Sequence, residues 1–399
     1  MIHLLLGIAL LGTLTSTIFL GLVLVASFRF KRIARERASA PMPATLPPVS
    51  LLKPLHGAEP GLREYLESFF ALDYPQFEIL FCARTEADAG LQLAREVAAQ
   101  HPQVPVRFLL SGTPPWPNAR CYSLSVMAPE AAHDLLVITD SDVRVRPDFL
   151  RKVIAPFADP QIGASTCLYR GDATGLGLWG LMEGMGMSVE MSAGVVVADM
   201  LEGMCFTLGP CMIVRKEALN AFGGFSKLGY YYADDFMLGN LVAASGSTVQ
   251  LSSHIIDHCI VNDSFWRNFS HQWSWMKSTR FSRPWGHLGT GLTFATPFGL
   301  LGLLAGYAMG MPLLGWSLLA WSWFSRVLLC LAAGGWVVGD PAAYRLCWLY
   351  PLRDLLGFVL WVASYTSRKV GWRDDRFVLE KGGLMRKING SGSGSSRIA

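Results

Sequence analysis

Charged residues are scarce in this sequence. Asp, Glu, Lys and Arg account for 16% of its 399 residues, whereas hydrophobic residues account for 51%. Two long stretches, residues 3–28 and 288–325, contain none of the four charged types. A membrane-spanning helix needs about 20 mostly apolar residues. The first stretch therefore predicts one span, the second is long enough to begin two, and a wholly soluble protein is not expected.

Cysteine pairs and nucleic-acid signatures are also missing. The eight cysteines include no CxxC pair and no zinc-finger spacing, so we expect them to be reduced core residues. No Lys- or Arg-rich helix is interleaved with aromatic residues, and the net charge is only +4. A balance of this size fits anionic lipid headgroups better than nucleic acid, and we predict no nucleic-acid partner.

Basic residues beside the apolar ends predict the orientation in the membrane. Residues 29–37 contain five Lys or Arg residues, and the tail contains Arg368, Lys369 and Arg373. By the positive-inside rule both ends face the cytosol, and so does the domain between them. The first stretch is not typical of a cleaved secretion signal, because it lacks a basic leader and a small-residue cleavage site.

A cytosolic tail requires an even number of C-terminal crossings. Residues 288–325 offer two candidates, and residues 345–365 offer a third that contains Arg353 and Asp354. One of the three is therefore expected to be re-entrant or interfacial.

These features divide the chain into five parts. We expect an N-terminal transmembrane helix (1–28), a basic and Pro-rich linker (29–48), a cytosolic domain (49–287), a C-terminal transmembrane or re-entrant region (288–367), and a cytosolic tail (368–399) whose Gly/Ser-rich end is disordered.

The cytosolic domain alternates between two periodicities. Short apolar runs at 49–55, 78–83, 104–110 and 135–140 are typical of buried strands, and apolar residues at helical spacing lie between them. Strands that alternate with helices predict an α/β domain with a parallel sheet covered on both faces. Ligands of such sheets bind at the carboxyl ends of the strands.

Aspartates follow two of these strands, and a further pair precedes an apolar helix. Asp140 and Asp142 come directly after the fourth strand, and Asp88 follows the second. Two such carboxylates can hold a hard cation, usually together with substrate phosphates, although a turn is the simpler interpretation. Asp234 and Asp235 are compatible with a helix N-terminal pair stabilised by the helix dipole.

A Gly- and Met-rich segment, residues 174–206, leaves two alternatives open. It could be a flexible apolar surface that admits a lipid, or an ordinary core helix in which Met fills gaps.

In this order and between membrane segments, the motifs resemble one family. It is the family of membrane-bound inverting glycosyltransferases with the nucleotide-diphospho-sugar fold. Within it the pattern is similar to ceramide glucosyltransferase and its bacterial relatives, including the hopanoid-associated lipid glycosyltransferases. The resemblance spans residues 49–285 and rests on VSLLKPLHG, LDYPQFEILFCA, DSDVRV, VRKEALNAFGGF, ADDFMLG and FSRP.

The resemblance implies a GT-A type fold, a UDP-sugar donor, Mg²⁺ or Mn²⁺ as cofactor, and a hopanoid or ceramide-like acceptor in a bacterial inner membrane. The sugar would be glucose or N-acetylglucosamine. By position, Asp88 would contact the uridine, Asp140 the donor and its metal, and Asp142 would complete a D-x-D metal motif. Asp235 would be the catalytic base. Trp275, which matches the tryptophan of the family's Q-x-x-R-W motif, would contact the donor.

The sequence departs from the family at two motifs. His271 and Ser274 occupy the Gln and Arg positions of Q-x-x-R-W, and Gln272 with Lys277 or Arg280 could supply the missing amide and charge.

Arg120 stands in a segment where the family has lysine, and would keep a cation near the donor diphosphate. Asp234, His271, Gln272 and Arg280 are further candidates on the acceptor side. Two alternatives stay open: a processive polysaccharide synthase, and an inactive membrane scaffold that binds nucleotide. The oligomeric state is not predicted.

Overall fold

A computed structural model describes residues 1–43, 45–261, 263–372 and 375–388. Arg373 and the Gly/Ser-rich end of the predicted tail, 389–399, lie outside the described residues. Within the described part the chain forms one large and one small β-sheet. The strands are β1 Val49–Pro54, β2 Phe77–Ala83, β3 Val106–Leu110, β4 Leu135–Thr139, β5 Val143–Arg144, β6 Ile162–Asp172, β7 Cys211–Arg215, β8 Thr248–Cys259, β9 Lys369–Trp372, β10 Asp375–Leu379 and β11 Met385–Lys387.

The large sheet has eight strands in the order β3-β2-β1-β4-β7-β6-β8-β5. β1 pairs in parallel with β2 and β4, β2 with β3, and β6 with β8. β7 is antiparallel to both of its neighbours, and β5 is antiparallel to β8. Six of the eight strands therefore run in one direction, which confirms the predicted α/β fold with a mostly parallel sheet. The four predicted strands are β1 to β4.

Helices precede, separate and follow these strands. In the first half they are α1 Ile2–Ser39, α2 Leu62–Phe70, α3 Ala89–Ala99, α4 Ala119–Glu130, α5 Phe149–Ile154, α6 Leu178–Met185 and α7 Ser192–Leu201. In the second half they are α8 Lys216–Ala221, α9 Gly224–Leu228, α10 Asp234–Ala244, α11 Phe265–Ser282, α12 Pro284–Thr290, α13 Thr296–Ala308, α14 Pro312–Leu329, α15 Pro341–Leu346 and α16 Tyr350–Ala363. π-helical segments Gly186–Met191 and Cys330–Val337 join α6 to α7 and extend α14.

Both faces of the large sheet are covered, because successive side chains on a strand point to opposite faces. Leu51 of β1 lies in a core with residues of α1, α2 and α3, whereas the next residue, Leu52, lies in a second core with residues of α4 and α10. Every residue of β1 is buried, so its side chains belong mainly to these two cores.

Four helical stretches are long and apolar enough to cross a membrane, by length and composition: Ile2–Ser39, Leu178–Leu201, Pro312–Val337 and Pro341–Ala363. In Leu178–Leu201, 72% of the most apolar 18-residue segment is buried inside the protein. A Cβ on Gly171 of β6 would lie 2.5 Å from the Cα of Gly184, so this stretch packs directly on the sheet. The Gly- and Met-rich segment is therefore largely a core helix.

The first helix continues beyond residue 28. α1 runs through Ser39, so the basic part of the predicted linker is helical. Arg29 pairs with Asp199 of α7 at 2.5 Å, and Arg37 donates to the carbonyl oxygen of Leu251 on β8 at 2.8 Å. These contacts attach the helix to the domain that contains the large sheet.

Of the three C-terminal candidates for a crossing, α13 is too short, whereas the helical stretches Pro312–Val337 and Pro341–Ala363 have 26 and 23 residues. α13 has 13 residues, against the roughly 20 that a span requires. We infer that α13 is the re-entrant member among the three predicted crossings.

A buried ion pair joins this short helix to its neighbours. Arg326 of α14 and Asp354 of α16 lie 3.4 Å apart and are almost fully buried. The Asp354 carboxylate also accepts hydrogen bonds from the backbone N–H groups of Ala295 and Thr296, at the start of α13. The polar residues that weakened residues 345–365 as a span are thus paired inside the protein.

Removing one partner of this pair should destabilise the C-terminal region. We expect Arg326→Leu to cost about 3 kcal/mol, because it leaves the Asp354 carboxylate buried without its cation. The measurement is the thermal unfolding midpoint in detergent, with Arg345→Leu, at an exposed position, as the matched control. The double variant Arg326→Leu/Asp354→Asn should recover part of the loss. Equal midpoints for Arg326→Leu and the control would contradict this role.

Candidate active site

Two distant aspartates converge at the carboxyl edge of the large sheet. Asp140 is the residue after β4. β7 runs antiparallel to β4 and begins at Cys211, so the loop that contains Gly209 lies at the same edge. A Cβ on Gly209 would lie 3.2 Å from Asp235 Oδ2 and 3.8 Å from Asp140 Oδ2. Both carboxylates therefore face the same small space, which a larger residue at 209 would fill.

Arg120 connects the members of this group. It lies in the first turn of α4 and its side chain is 10% exposed. Its guanidinium donates to Asp140 Oδ1 at 2.9 Å, to Asp234 Oδ2, and to the carbonyl oxygen of Gly209 at 2.9 Å. Burial acts against the charge, but Asp140 and Asp234 outweigh it and the pKa of Arg120 is raised. The planar fork of arginine suits such a three-way contact, and lysine does not reproduce it.

The pair at the start of α10 is not a simple helix cap. The N-cap position is Ala233, and the two carboxylates point to different partners. Asp234 accepts from Arg120 and, at 3.3 Å, from the side-chain amide of Asn118. Asp235 Oδ2 accepts from the backbone N–H of Gly209 at 2.7 Å. Asp234 thus anchors the group, while Asp235 faces the space beside Asp140.

Asp235 has the proton affinity of a base that works near neutral pH. Burial and the neighbouring charge of Asp234 raise the pKa of Asp235 to about 6, against opposition from Arg120 and from the N–H groups of Phe236 and Gly209. Carboxylates in clefts with pKa values raised in this way are typical of catalytic acids and bases.

Asp88 lies further along the same edge. It is the N-cap of α3, and its carboxylate accepts from the backbone N–H groups of Gly90 and Leu91. It also accepts from the N–H of Gly57, just after β1, at 2.9 Å. β1 separates β2 from β4 in the sheet, so Asp88 and Asp140 follow strands roughly 10 Å apart. The residue therefore ties two edge loops together.

Asp142 lies beside a histidine. Its Oδ2 is 3.5 Å from His258 Nε2, and its buried Oδ1 has no hydrogen-bond partner among the described residues. Within the part of the chain that the structure describes, no group of three or more His, Cys, Asp or Glu side chains is arranged to hold a metal ion. The donors at this point are the carboxylates of Asp140 and Asp142. Mg²⁺ commonly uses one or two carboxylates when substrate phosphates and water complete its coordination.

The whole chain, and not only this edge, is similar to known proteins. A family model described as "Glycosyl transferase family 21" matches residues 12–385. The chain belongs to glycosyl transferase family 21. It is a hexosyltransferase, which confirms the resemblance drawn from the motifs.

Relatives and a solved structure agree with this assignment. The chain is 25% identical to "Ceramide glucosyltransferase 1" of Caenorhabditis elegans, over 87% of this chain and 75% of that protein. It is 25% identical to "Ceramide glucosyltransferase 3" of the same organism, over 85% and 74%. In fold it is similar to a mannosyltransferase from Pyrobaculum calidifontis, solved in complex with GDP-Man and Mn²⁺. That similarity has a TM-score of 0.50 at 18% identity and covers 90% of this chain and 97% of the other. The GT-A fold is thereby confirmed.

Lys53 is a site residue of this family 21 glycosyltransferase that sequence reasoning missed. It lies on β1, fully buried, and donates to Thr139 Oγ1 and to the carbonyl oxygen of Asp140, both at 2.9 Å. Burial lowers the pKa of Lys53 to about 7, while Asp140 and Asp142 act to raise it. A lysine within the apolar run VSLLKPL was the available signal. These two hydrogen bonds hold the backbone at the start of the D-x-D motif.

The remaining predicted residues form a second group on α11. His271 Nδ1 lies 2.8 Å from Glu183 Oε1. The His271 ring packs against half-buried Trp275, with centroids 4.3 Å apart and the planes tilted by 52°. Gln272 is buried and hydrogen-bonds to Asn268. None of the hydrogen bonds among the described residues joins this group to Arg120 or Asp140. The structure thus brings Asp140, Asp234, Asp235 and Arg120 together, whereas the α11 residues belong to a separate hydrogen-bond network.

The cation beside Gln272 is not one of those predicted. Arg353 of α16 donates to Gln272 Oε1 at 2.7 Å and pairs with Glu190 at 3.0 Å. Lys277 and Arg280 instead donate to the carbonyl oxygens of Lys369 and Ser364. Both side chains thus hold the C-terminal segment, and the replacement of the motif's arginine by either of them stays a prediction. Arginine within an apolar stretch was the sequence signal for Arg353.

The small C-terminal sheet borders the active-site helix. Tyr232 donates its N–H to Gly383 at 3.0 Å, and Met385 donates to the carbonyl oxygen of Tyr230 at 2.8 Å. Tyr232 also packs against Trp372 of β9. The segment directly before Asp234 is therefore held in place by the tail.

The three-way contact of Arg120 should be essential to geometry. We expect Arg120→Lys to lower kcat/KM of sugar transfer by about 100-fold, because one ammonium cannot hold both aspartates and the Gly209 carbonyl, and misplacement by about 1 Å has an effect of this size. Arg95→Lys, at an exposed pair with Glu86, is the matched control. Near-normal turnover by Arg120→Lys would show that the contact does not organise the site.

Proposed function

We propose that this enzyme transfers a hexose from a UDP-sugar to a hydroxyl group of a membrane lipid, with inversion at the anomeric carbon. The observation that carries the proposal is the convergence of Asp140 and Asp235 beside Gly209. A general base and a charge-binding carboxylate that face one cleft suit a single displacement, in which the acceptor hydroxyl itself attacks.

Asp235 is proposed to act as the general base. In the reaction the acceptor hydroxyl loses its proton as it attacks the anomeric carbon, and a positioned carboxylate within hydrogen-bond reach can accept it, a contribution of about 10²- to 10⁴-fold in rate. The hydrogen bond from Gly209 and the chain direction at the start of α10 hold Asp235 Oδ2 toward the cleft.

Asp140 and Asp142 are proposed to hold Mg²⁺ or Mn²⁺, with His258 alongside. The unpartnered Oδ1 of Asp142 fits a ligand role, and hard cations favour such oxygens. The ion would neutralise charge on the departing diphosphate. Arg120 keeps Asp140 oriented, and Lys53 holds the backbone beneath it. The structural relative solved with GDP-Man and Mn²⁺ supports a divalent ion.

Asp88 and the α11 group are proposed to frame the substrates. The Asp88 carboxylate uses three of about four lone-pair positions on backbone N–H groups, so it orders the loops that receive the uridine and has capacity for one further contact. Trp275 is proposed to contact the donor, and the acceptor side is proposed to be formed by Asp234, His271, Gln272 and Arg280.

The lipid acceptor is supported by the relatives and by the protein's surroundings. Both relatives are named as ceramide glucosyltransferases, so glucose and a ceramide-like lipid are the first candidates, with N-acetylglucosamine and a hopanoid next. Apolar helices flank the catalytic domain on both sides. Trp266 and Trp285, at 74% and 83% exposure, are typical of a membrane interface. The catalytic domain is proposed to face the cytosol of a bacterial inner membrane.

The reaction can be tested with labelled UDP-glucose, UDP-galactose and UDP-N-acetylglucosamine offered with lipid extracts. We expect an organic-soluble labelled product from the native protein and none above background from Asp235→Asn, because an amide cannot accept the proton. Asp73→Asn, on an exposed pair with Arg151, should behave as the native protein. Long, water-soluble labelled polymer would favour a processive synthase, and donor binding without product would favour an inactive scaffold.

The pH dependence follows from the pKa of Asp235. A base works only when ionised, and its pKa is about 6. We therefore expect kcat/KM to be flat above that pH and to fall about tenfold per pH unit below it. Initial rates at low donor concentration, in buffers of constant ionic strength, provide the profile. A rate that rises as the pH is lowered through 6 would contradict a carboxylate base.

A further inference from the structure

An open groove lies where α1 leaves its apolar stretch. It has a volume of about 540 Å³ and is formed by α1 together with one residue of the π-helical extension of α14. Three lining residues are apolar or aromatic and four are basic: Val25, Phe28, Trp336, Arg29, Lys31, Arg32 and Arg35. The lining contains no Asp or Glu, so its charged side chains are all positive and the groove favours an anion.

Polarity changes along the groove in one direction. The charge-free stretch of α1 ends at Phe28, and Trp336 packs edge-on against Phe28 with ring centroids 4.7 Å apart. The cations follow within the next two helical turns. An apolar part followed by a cationic part matches the order of acyl chain and phosphate in a phospholipid, and aromatic residues at this level are typical of the membrane interface.

Two of the four cations have no partner of their own. Arg29 is occupied by Asp199, and Arg32 lies 3.6 Å from Glu36. Among residues 1–43, 45–261, 263–372 and 375–388, the side chains of Lys31 and Arg35 make neither an ion pair nor a hydrogen bond. They lie four residues apart, on the same face of the helix. Two neighbouring cations that repel each other are stabilised when an external anion lies between them.

We propose that this groove binds an anionic glycerophospholipid, with the headgroup phosphate between Lys31 and Arg35 and an acyl chain along Val25, Phe28 and Trp336. The apolar half favours a lipid over a free phosphate, which would use only the cations. The site shares no residue with the candidate active site, so the inference goes beyond the proposed reaction. Because Arg29 and Arg37 attach the same helix to the catalytic domain, the lipid would also set how that domain stands on the bilayer surface.

Lipid binding can be measured directly by native mass spectrometry of the full chain in a nonionic detergent, without any sugar donor. Phosphatidylglycerol and phosphatidylcholine are the probes. We expect the native protein to retain phosphatidylglycerol in preference. Lys31→Gln/Arg35→Gln should lose at least tenfold in affinity for phosphatidylglycerol, since each cation near an anionic lipid contributes about fivefold, and should leave phosphatidylcholine binding unchanged.

The control removes two cations elsewhere. Arg95→Gln/Lys227→Gln, both on the exposed surface of the catalytic domain, should keep the native preference. Trp336→Ala should weaken phosphatidylglycerol but leave glycerol phosphate binding unaffected. The proposal is overturned if the groove variant binds phosphatidylglycerol as tightly as the control, or if glycerol phosphate displaces the lipid at equal concentration. Because the readout is lipid retention, its outcome is independent of whether the proposed sugar transfer is observed.

Discussion

A single guanidinium determines whether this active site can exist. Asp140, Asp234 and Asp235 lie close together, Asp234 buried and the other two partly buried. Three such neighbouring carboxylates repel one another and resist loss of water. Arg120 offsets this by pairing with two of them and by bonding to the loop that carries Gly209. Its position depends in turn on Asn118, which caps α4 and reaches the segment before α10. Arg120, which stands where the family resemblance leads one to expect lysine, thus holds the cleft together.

The sheet and the aspartates could be predicted because they depend on local pattern. Apolar runs marked β1 to β4. Position alone left Asp140 and Asp235 open to interpretation as turn and helix-cap residues, and the resemblance to the family implied their roles. The contacts of Arg120 were not predictable, since its partners lie 20 to 114 residues away in sequence. Arg353 was visible as an arginine within an apolar stretch, but its contact with Gln272 was not predictable, because only three-dimensional packing brings the two side chains together.

The few charged residues in the apolar helices form ion pairs that join one helix to another. Arg326 pairs with Asp354, Arg353 with Glu190, and Glu183 contacts His271. A single buried ion without a partner is costly, so charged residues there join helices that have little else to specify their register. The residues that made the C-terminal spans look weak are those that define their packing.

The small C-terminal sheet imposes an order on how the enzyme comes into being. β11 and the turn before it hydrogen-bond to Tyr230 and Tyr232, yet they are synthesised after α12 to α16. The ribosome must therefore have made nearly the whole chain before the region ahead of Asp234 acquires these neighbours. A nascent or truncated chain would carry the aspartates without this support.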